Sequence, residues 1–296
     1  MTNSAFRKTI KTSTYLAFAG IMAVSAIFFL ISGLKAQEKS IPDHGSFNDC
    51  RMCHAEKNKM WEKSGHSKAN KIATGTAPVG ADCLGCHTAE GFIAKLQGGT
   101  VDPADRASFS TLSCIVCHKP GSNTNPKQLV ISSEKLCDEC HTQVRVLHGK
   151  GATGVEDKRS FHSGVTCVSC HMPDAMHEMK FIRPDDPELT EGRIDTCTRC
   201  HKDSSRQDRA RQLADWRARY KEAMDPIEAD LAAISAATKG NPDLLNADLK
   251  TKLSTVRANL FILQQDASRG AHNLDFALEI MAKASKDIKE IKTALK

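Results

Sequence analysis

Apolar positions follow three regimes along the 296 residues. Near the N-terminus an uncharged run from Thr12 to Leu34, rich in Ala, Ile and Phe, follows the basic residues Arg7, Lys8 and Lys11. At the other end, apolar residues step by three or four. Leu213, Trp216, Tyr220, Met224, Ile227, Leu231 and Ile234 form one series. Leu249, Leu253, Val256, Leu260, Leu263 and Ala267 form a second, and Ala277, Met281, Ala284, Ile288, Ile291 and Leu295 a third. This spacing predicts three amphipathic helices with narrow apolar seams. Pro226 is a kink position inside the first, and Gly240-Asn241-Pro242 ends it. Between these regimes no period is sustained. Turn residues recur at Gly98-Gly99, Pro120-Gly121, Asn125-Pro126 and from Gly149 to Gly154.

The pattern predicts a mainly α protein: a loop-rich body with short helices, a C-terminal bundle of long helices, and little or no sheet. Three regions follow: residues 1–36, an export signal or single membrane anchor; residues 37–203, the body; and residues 204–296, the helical region. The seams pack the long helices on one another and on the body. One long helix also offers a homodimer interface.

A basic stretch followed by an apolar one marks a chain for export. Signal peptides carry an apolar core of ~7–15 residues, whereas a membrane span needs ~20, and this run is nearer the second. A cut after Ala36 would place Leu34 where a small residue is preferred. Both features favour a retained span with a cytoplasmic N-terminus. A cleaved signal would instead leave a soluble periplasmic protein.

Cysteine usage changes the picture of the body. All 12 cysteines fall into one pattern: Cys50-Arg-Met-Cys53-His54, Cys83-Leu-Gly-Cys86-His87, Cys114-Ile-Val-Cys117-His118, Cys137-Asp-Glu-Cys140-His141, Cys167-Val-Ser-Cys170-His171 and Cys197-Thr-Arg-Cys200-His201. Cys-x-x-Cys-His is the attachment signature of c-type haem. Two thiols on one turn add to the two vinyl groups of a porphyrin, and the adjacent His becomes the proximal iron ligand. Zinc sites use paired Cys-x-x-Cys but do not demand His after each second Cys. Disulfide scaffolds have no reason for that rule either. A thioredoxin-like motif would occur once, in a βαβ setting. The motifs therefore predict six covalently bound haem c groups. Their attachment needs reduced thiols beyond the cytoplasmic membrane, in accord with export. First cysteines lie 33, 31, 23, 30 and 30 residues apart. About thirty residues per haem crowds the haems together, and nothing but the motif recurs.

Haem also changes what composition and charge mean. Aromatic residues are 5% of the chain, so the macrocycles supply apolar mass that side chains lack. The formal net charge is +6. Twelve propionates would take it to about −6, so the basic balance is no argument for a nucleic-acid partner.

Six of the 12 histidines belong to motifs. The other six are His44, His66, His148, His162, His177 and His272. Six haems need six distal ligands, and six spare imidazoles are present. This equality predicts bis-His ligation throughout. Met172, Met176 and Met179 are weaker alternatives, since Met more often packs than ligates. Trp61 and Trp216 read as packing residues.

The second half resembles a known group. Cys167-Val-Ser-Cys170-His171-Met172-Pro173, His177, the Cys197 motif, and then long helices with Arg269-Gly270-Ala271-His272-Asn273 resemble the multihaem cytochromes related to cytochrome c nitrite reductase and the octahaem reductases. The resemblance runs from about Ser163 to the C-terminus. It implies closely paired haems, terminal helices that often dimerise, and a distal ligand at His272. The chain has no Cys-x-x-Cys-Lys motif of the kind that usually carries the active haem of ammonia-forming nitrite reductases. Tyr220, the one tyrosine beyond the N-terminal apolar run, lies on a helix seam.

Closed bis-His haems give electron transfer between a membrane or periplasmic donor and a partner redox protein, on the periplasmic side of the cytoplasmic membrane. The competing expectation is a reductase of nitrite, hydroxylamine or a sulfur oxyanion at one open haem, with His162 or His177 donating protons. A third is a filament in which His44 ligates a haem of the next copy.

Overall fold

Cysteines three positions apart share one face of a helical turn, and five of the six motifs fold in that way. The computed structural model describes residues 47–141, 144–187, 189 and 194–295. Helices of the body are short: α1 (Phe47–Cys53), α2 (Ala55–Glu62), α3 (Lys71–Thr74), α4 (Ala81–His87), α5 (Ala89–Leu96), α6 (Cys114–Cys117), α7 (Ser133–Leu136), α8 (Val144–His148), α9 (Cys167–His171) and α10 (Thr196–Cys200). The Cys137 motif follows α7 as a run of turns. Among the described residues there is no strand, and His118 and Leu129 form an isolated antiparallel bridge. The N-terminal apolar run and His44 lie outside the described residues. Within them, no helix is long and apolar enough to cross a membrane.

Local chemistry sets these turns. Asp195, 1% exposed, caps α10: its Oδ1 accepts from the backbone N–H of Cys197 at 2.9 Å and of Thr198 at 3.0 Å. Thr88 caps α5, its hydroxyl accepting from Gly91 N at 3.1 Å. Gly91 allows α4 and α5 to touch, since a Cβ there would stand 2.3 Å from the Leu84 carbonyl oxygen. Apolar clusters in the body are small. One gathers Ala89, Phe92, Leu112 and Val116, and another Ala73, Val79 and Leu84. Trp61 is buried, its indole N–H donating to the Leu112 carbonyl at 2.9 Å.

The main core lies instead among α11 (Arg206–Thr238), α12 (Ala247–Gln265) and α13 (Leu274–Ala294). α11 opens on a reciprocal capping box between Ser205 and Asp208. Asn246 and Asn273 cap the other two. α11 is continuous through Pro226, and Ile227 beside it is buried. α13 packs against both partners, burying Phe276, Ile280, Met281, Ile288 and Ile291 against the seams of α11 and α12. The apolar seams are thus used within one chain. α12 ends at Gln265, so Ala267 falls in the connection to α13, together with His272.

That helical core is tied to the body. Val146 of α8 is fully buried in it. The buried Asn259 side chain accepts from Thr153 N at 2.8 Å and donates to Thr153 O at 2.9 Å. Asn273 donates to Lys158 O at 2.6 Å. Gly149, at φ +60°, lets the intervening loop close, since a Cβ there would meet Lys158 O at 1.8 Å.

Ile280, with no exposed surface, sits where α13 meets its partners. Ile280→Ala is expected to cost about 2–5 kcal/mol through lost burial and a residual cavity. Phe261→Ala, at a position 57% exposed, should stay within about 0.5 kcal/mol. Chemical denaturation followed by helical circular dichroism checks both; equal losses would refute the placement of the core.

Candidate haem-binding centre

The motifs bring their thiols together as well as presenting them. Cys50 lies in hydrogen-bond contact with Cys114, Cys86 with Cys140, and Cys137 with Cys167. Cys170 stands beside Cys200 and Cys197. First and third, second and fourth, fourth and fifth, and fifth and sixth motifs are therefore neighbours. Cys53, Cys83 and Cys200 are exposed, and the other nine are half-buried. Burial pushes the Cys117 thiol up to about 11 and the Cys140 thiol up to about 12. The hydrogen bond from Cys137 lowers Cys167 to about 7.

Histidines show a more telling arrangement. His66 faces His141 with ring centroids 5.8 Å apart. His118 faces His177 at 6.2 Å, His201 faces His162 at 6.1 Å, and His171 faces His272 at 6.2 Å. Each pair joins one motif histidine to one spare histidine. A metal–imidazole bond is about 2.0 Å and a ring nitrogen lies about 1.1 Å from its centroid, so two imidazoles trans on one metal stand about 6.2 Å apart. The spacing of the four pairs fits an iron between them. Rings in direct edge-to-face or offset contact also stand about 4.5–7 Å apart, so what distinguishes these four pairs is that each joins a motif histidine to a spare one. The pairing is also non-sequential. His66 precedes the second motif yet faces the fourth, and His177 follows the fifth yet faces the third.

Protonation agrees with that fit. A ligating imidazole must be neutral with one nitrogen free. Burial pushes His66, His141, His162, His171 and His177 below the ordinary imidazole range. The carbonyls of Lys127 and Ala175 lie 2.9 Å and 2.8 Å from the Nδ1 atoms of His118 and His177. A carbonyl can only accept, so both Nδ1 atoms donate, and Nε2 is the nitrogen each ring keeps outside that bond. The Met179 sulfur lies 2.6 Å from Nδ1 of His66, the side away from a ligating Nε2. His272 differs. Burial would lower it, but the hydrogen bond and charge of Asp266 outweigh that and move it up.

The remaining predicted residues are placed otherwise. His54 and His87 are exposed, and His87 Nδ1 is 3.3 Å from Ala69 O. Among the described residues no second imidazole faces either ring. His148 Nε2 lies 3.8 Å from an Asp138 carboxylate oxygen. His272 occupies the turn before α13 rather than a helix. Sequence reasoning missed Asp266 and Ser268, which hold His272. Their one sequence signal is proximity to His272 within a short interhelical connection.

The chain is a multihaem c-type cytochrome. Residues 24–129 match the family model described as outer membrane cytochrome MtrC/MtrF-like, domains II/IV. Residues 155–296 match that of cytochrome c552. The second match covers the region of the nitrite reductase-like resemblance; the first covers the Cys50, Cys83 and Cys114 motifs, where the sequence suggests no particular family. Among solved structures, the chain is similar to the outer cell wall cytochrome OcwA at 26% identity and TM-score 0.67, covering 78% of this chain and 50% of that one. An undecaheme cytochrome from the S-layer of Carboxydothermus ferrireducens shares the fold at 22% identity and TM-score 0.56, covering 76% of this chain and 40% of that one. The chain thus spans half or less of either structure. No curated protein sequence matches it.

The four pairs make a site-resolved prediction. His66→Met, His162→Met, His177→Met and His272→Met should each alter the ligand-field spectrum of a single haem, and a different haem in each case. Magnetic circular dichroism of the holoproteins checks this. Two variants perturbing the same haem would contradict the pairing.

Proposed function

We propose that this multihaem cytochrome is an electron-transfer protein with six haem c groups closed to substrate by two histidines each. The observation that carries the proposal is the set of four motif–spare imidazole pairs at 5.8–6.2 Å. The cysteines of the six motifs would hold the porphyrins through thioethers, and the haem supplies a reversible Fe(III)/Fe(II) couple when bound. Paired imidazoles leave no axial position for a substrate. They also hold the same ligand set in both oxidation states, so little need move when charge does.

The chain's own contacts support a continuous array. Thiol neighbours link the first motif to the third, the second to the fourth, and the fourth through the fifth to the sixth. Cys117 of the third motif also lies near Cys137 of the fourth. The array is therefore branched at the fourth motif, with the second as a side arm. His44 and His148 complete the supply of distal ligands for the His54 and His87 motifs in this reading.

We place the protein outside the cytoplasmic membrane, held there by the apolar segment from Thr12 to Leu34 or released after its cleavage. Two structures of the same fold come, by their descriptions, from an outer cell wall and an S-layer, which suits a carrier that meets partners outside the membrane. Its partners are redox proteins on either side of the array. A second reading, a multihaem reductase with one open iron, draws on the cytochrome c552 match over residues 155–296. The two differ in one respect, the presence of a five-coordinate haem.

Intact mass of the holoprotein is expected to show six haem increments. Electron paramagnetic resonance of the oxidised protein should show low-spin ferric signals alone, and the reduced protein should bind no carbon monoxide. A high-spin signal near one haem in six, with carbon monoxide binding, would establish the reductase instead.

A further inference from the structure

The four facing pairs are not chemically equal, and the difference lies in what holds the Nδ1 side of each distal ring. His177 donates to a backbone carbonyl, and His66 has a thioether sulfur beside it. His272 donates to a carboxylate: Nδ1 lies 2.8 Å from Asp266 Oδ1. Among the spare histidines whose Nδ1 partner is described, it is the one bonded to an acid.

Asp266 is 4% exposed. A carboxylate at that depth is costly unless its oxygens are bonded, and both are. Oδ1 also accepts from Ser268 N at 3.1 Å, and Oδ2 accepts from the Ser268 hydroxyl at 2.9 Å. The same hydroxyl accepts from His272 N at 3.1 Å. Acid, serine and histidine therefore close a ring of hydrogen bonds that fixes the His272 backbone and the plane of its imidazole together. Gly270, at φ +102°, and Arg269, at φ +51°, let the chain double back over this short distance. With Nδ1 committed to the acid, Nε2 is the nitrogen left toward His171, 6.2 Å away between centroids.

We infer that Asp266 is a positioning residue that orients His272 and, through the Nδ1 bond, lowers the reduction potential of the haem held between His171 and His272 relative to the other paired haems. A carboxylate partner makes an imidazole more electron-donating, as carboxylate–histidine–metal triads do. A more basic axial ligand favours Fe(III) over Fe(II), and axial ligation is a principal control of haem potential. Backbone carbonyls, being neutral, exert this influence more weakly. The haem nearest the helical core would then be the hardest of the paired set to reduce and the strongest donor once reduced.

The inference rests on the ligation reading for His272, and one set of variants separates the two. Asp266→Asn keeps an acceptor oxygen of the same shape and removes the charge. Redox titration of the holoprotein, followed by optical and paramagnetic resonance spectra, should show one haem moving to more positive potential while the others stay in place and the haem mass is unchanged. Ser268→Ala, which loosens the acid, should move the same haem in the same direction by less. A titration of Asp266→Asn that superimposes on the native curve, or moves negative, overturns the inference while His272→Met still perturbs one haem. If His272→Met perturbs none, the ligation itself fails and the inference falls with it.

Discussion

Two imidazoles facing each other across a gap the width of one coordinated metal are the constraint on which this structure turns. Ring pairs in an ordinary interior also stand about 6 Å apart, but nothing in ordinary packing would pair one class of histidine with another. Four such gaps occur, each between a histidine that follows a Cys-x-x-Cys pair and one that does not. The body between them is poor in core. Its apolar clusters hold a few residues each, and its helices rarely exceed two turns. On the proposed ligation the body depends on what sits between the rings, and cofactor attachment and folding are then coupled.

The helical region has the opposite character. Its seams close on one another with ordinary large side chains, and it stands on hydrophobic burial. The connection between α12 and α13 links the two regimes. Asp266, Ser268 and His272 belong to a turn of a well-packed helical unit, yet the His272 ring is directed at the fifth motif. Asn259 and Asn273 bind the loop that leads into that motif. A rigid support for His272, the proposed distal ligand, is the clearest contribution the long helices make to the proposed cofactor array.

The Cys-x-x-Cys-His motifs and the three helix seams were legible in the sequence because both are local. A haem motif is five residues, and a seam is a period. Leu253, Val256, Leu260 and Ile288 are buried where the period puts them. α11 continues through Pro226 to Thr238, its seam packed on α13 on both sides of the proline's missing backbone donor. The count of spare histidines was legible as arithmetic, but their partners were not. His66 meets His141 across most of the body, and no spacing rule encodes such a contact. Asp266 was invisible for a related reason: one acid among 35 gains meaning only when a turn with two left-handed residues sets it against an imidazole. The branched order of motifs likewise depends on tertiary neighbours such as Cys86 and Cys140.

The central claim is that paired histidines close these haems, and its most direct test is a crystal structure of the holoprotein phased on its iron. The account predicts one iron between the rings of each of His66 and His141, His118 and His177, His162 and His201, and His171 and His272, each at about 2.0 Å from two Nε2 atoms. Irons that are bound by the motif histidines but take their second axial ligand elsewhere, from Met179 or from water, would contradict it.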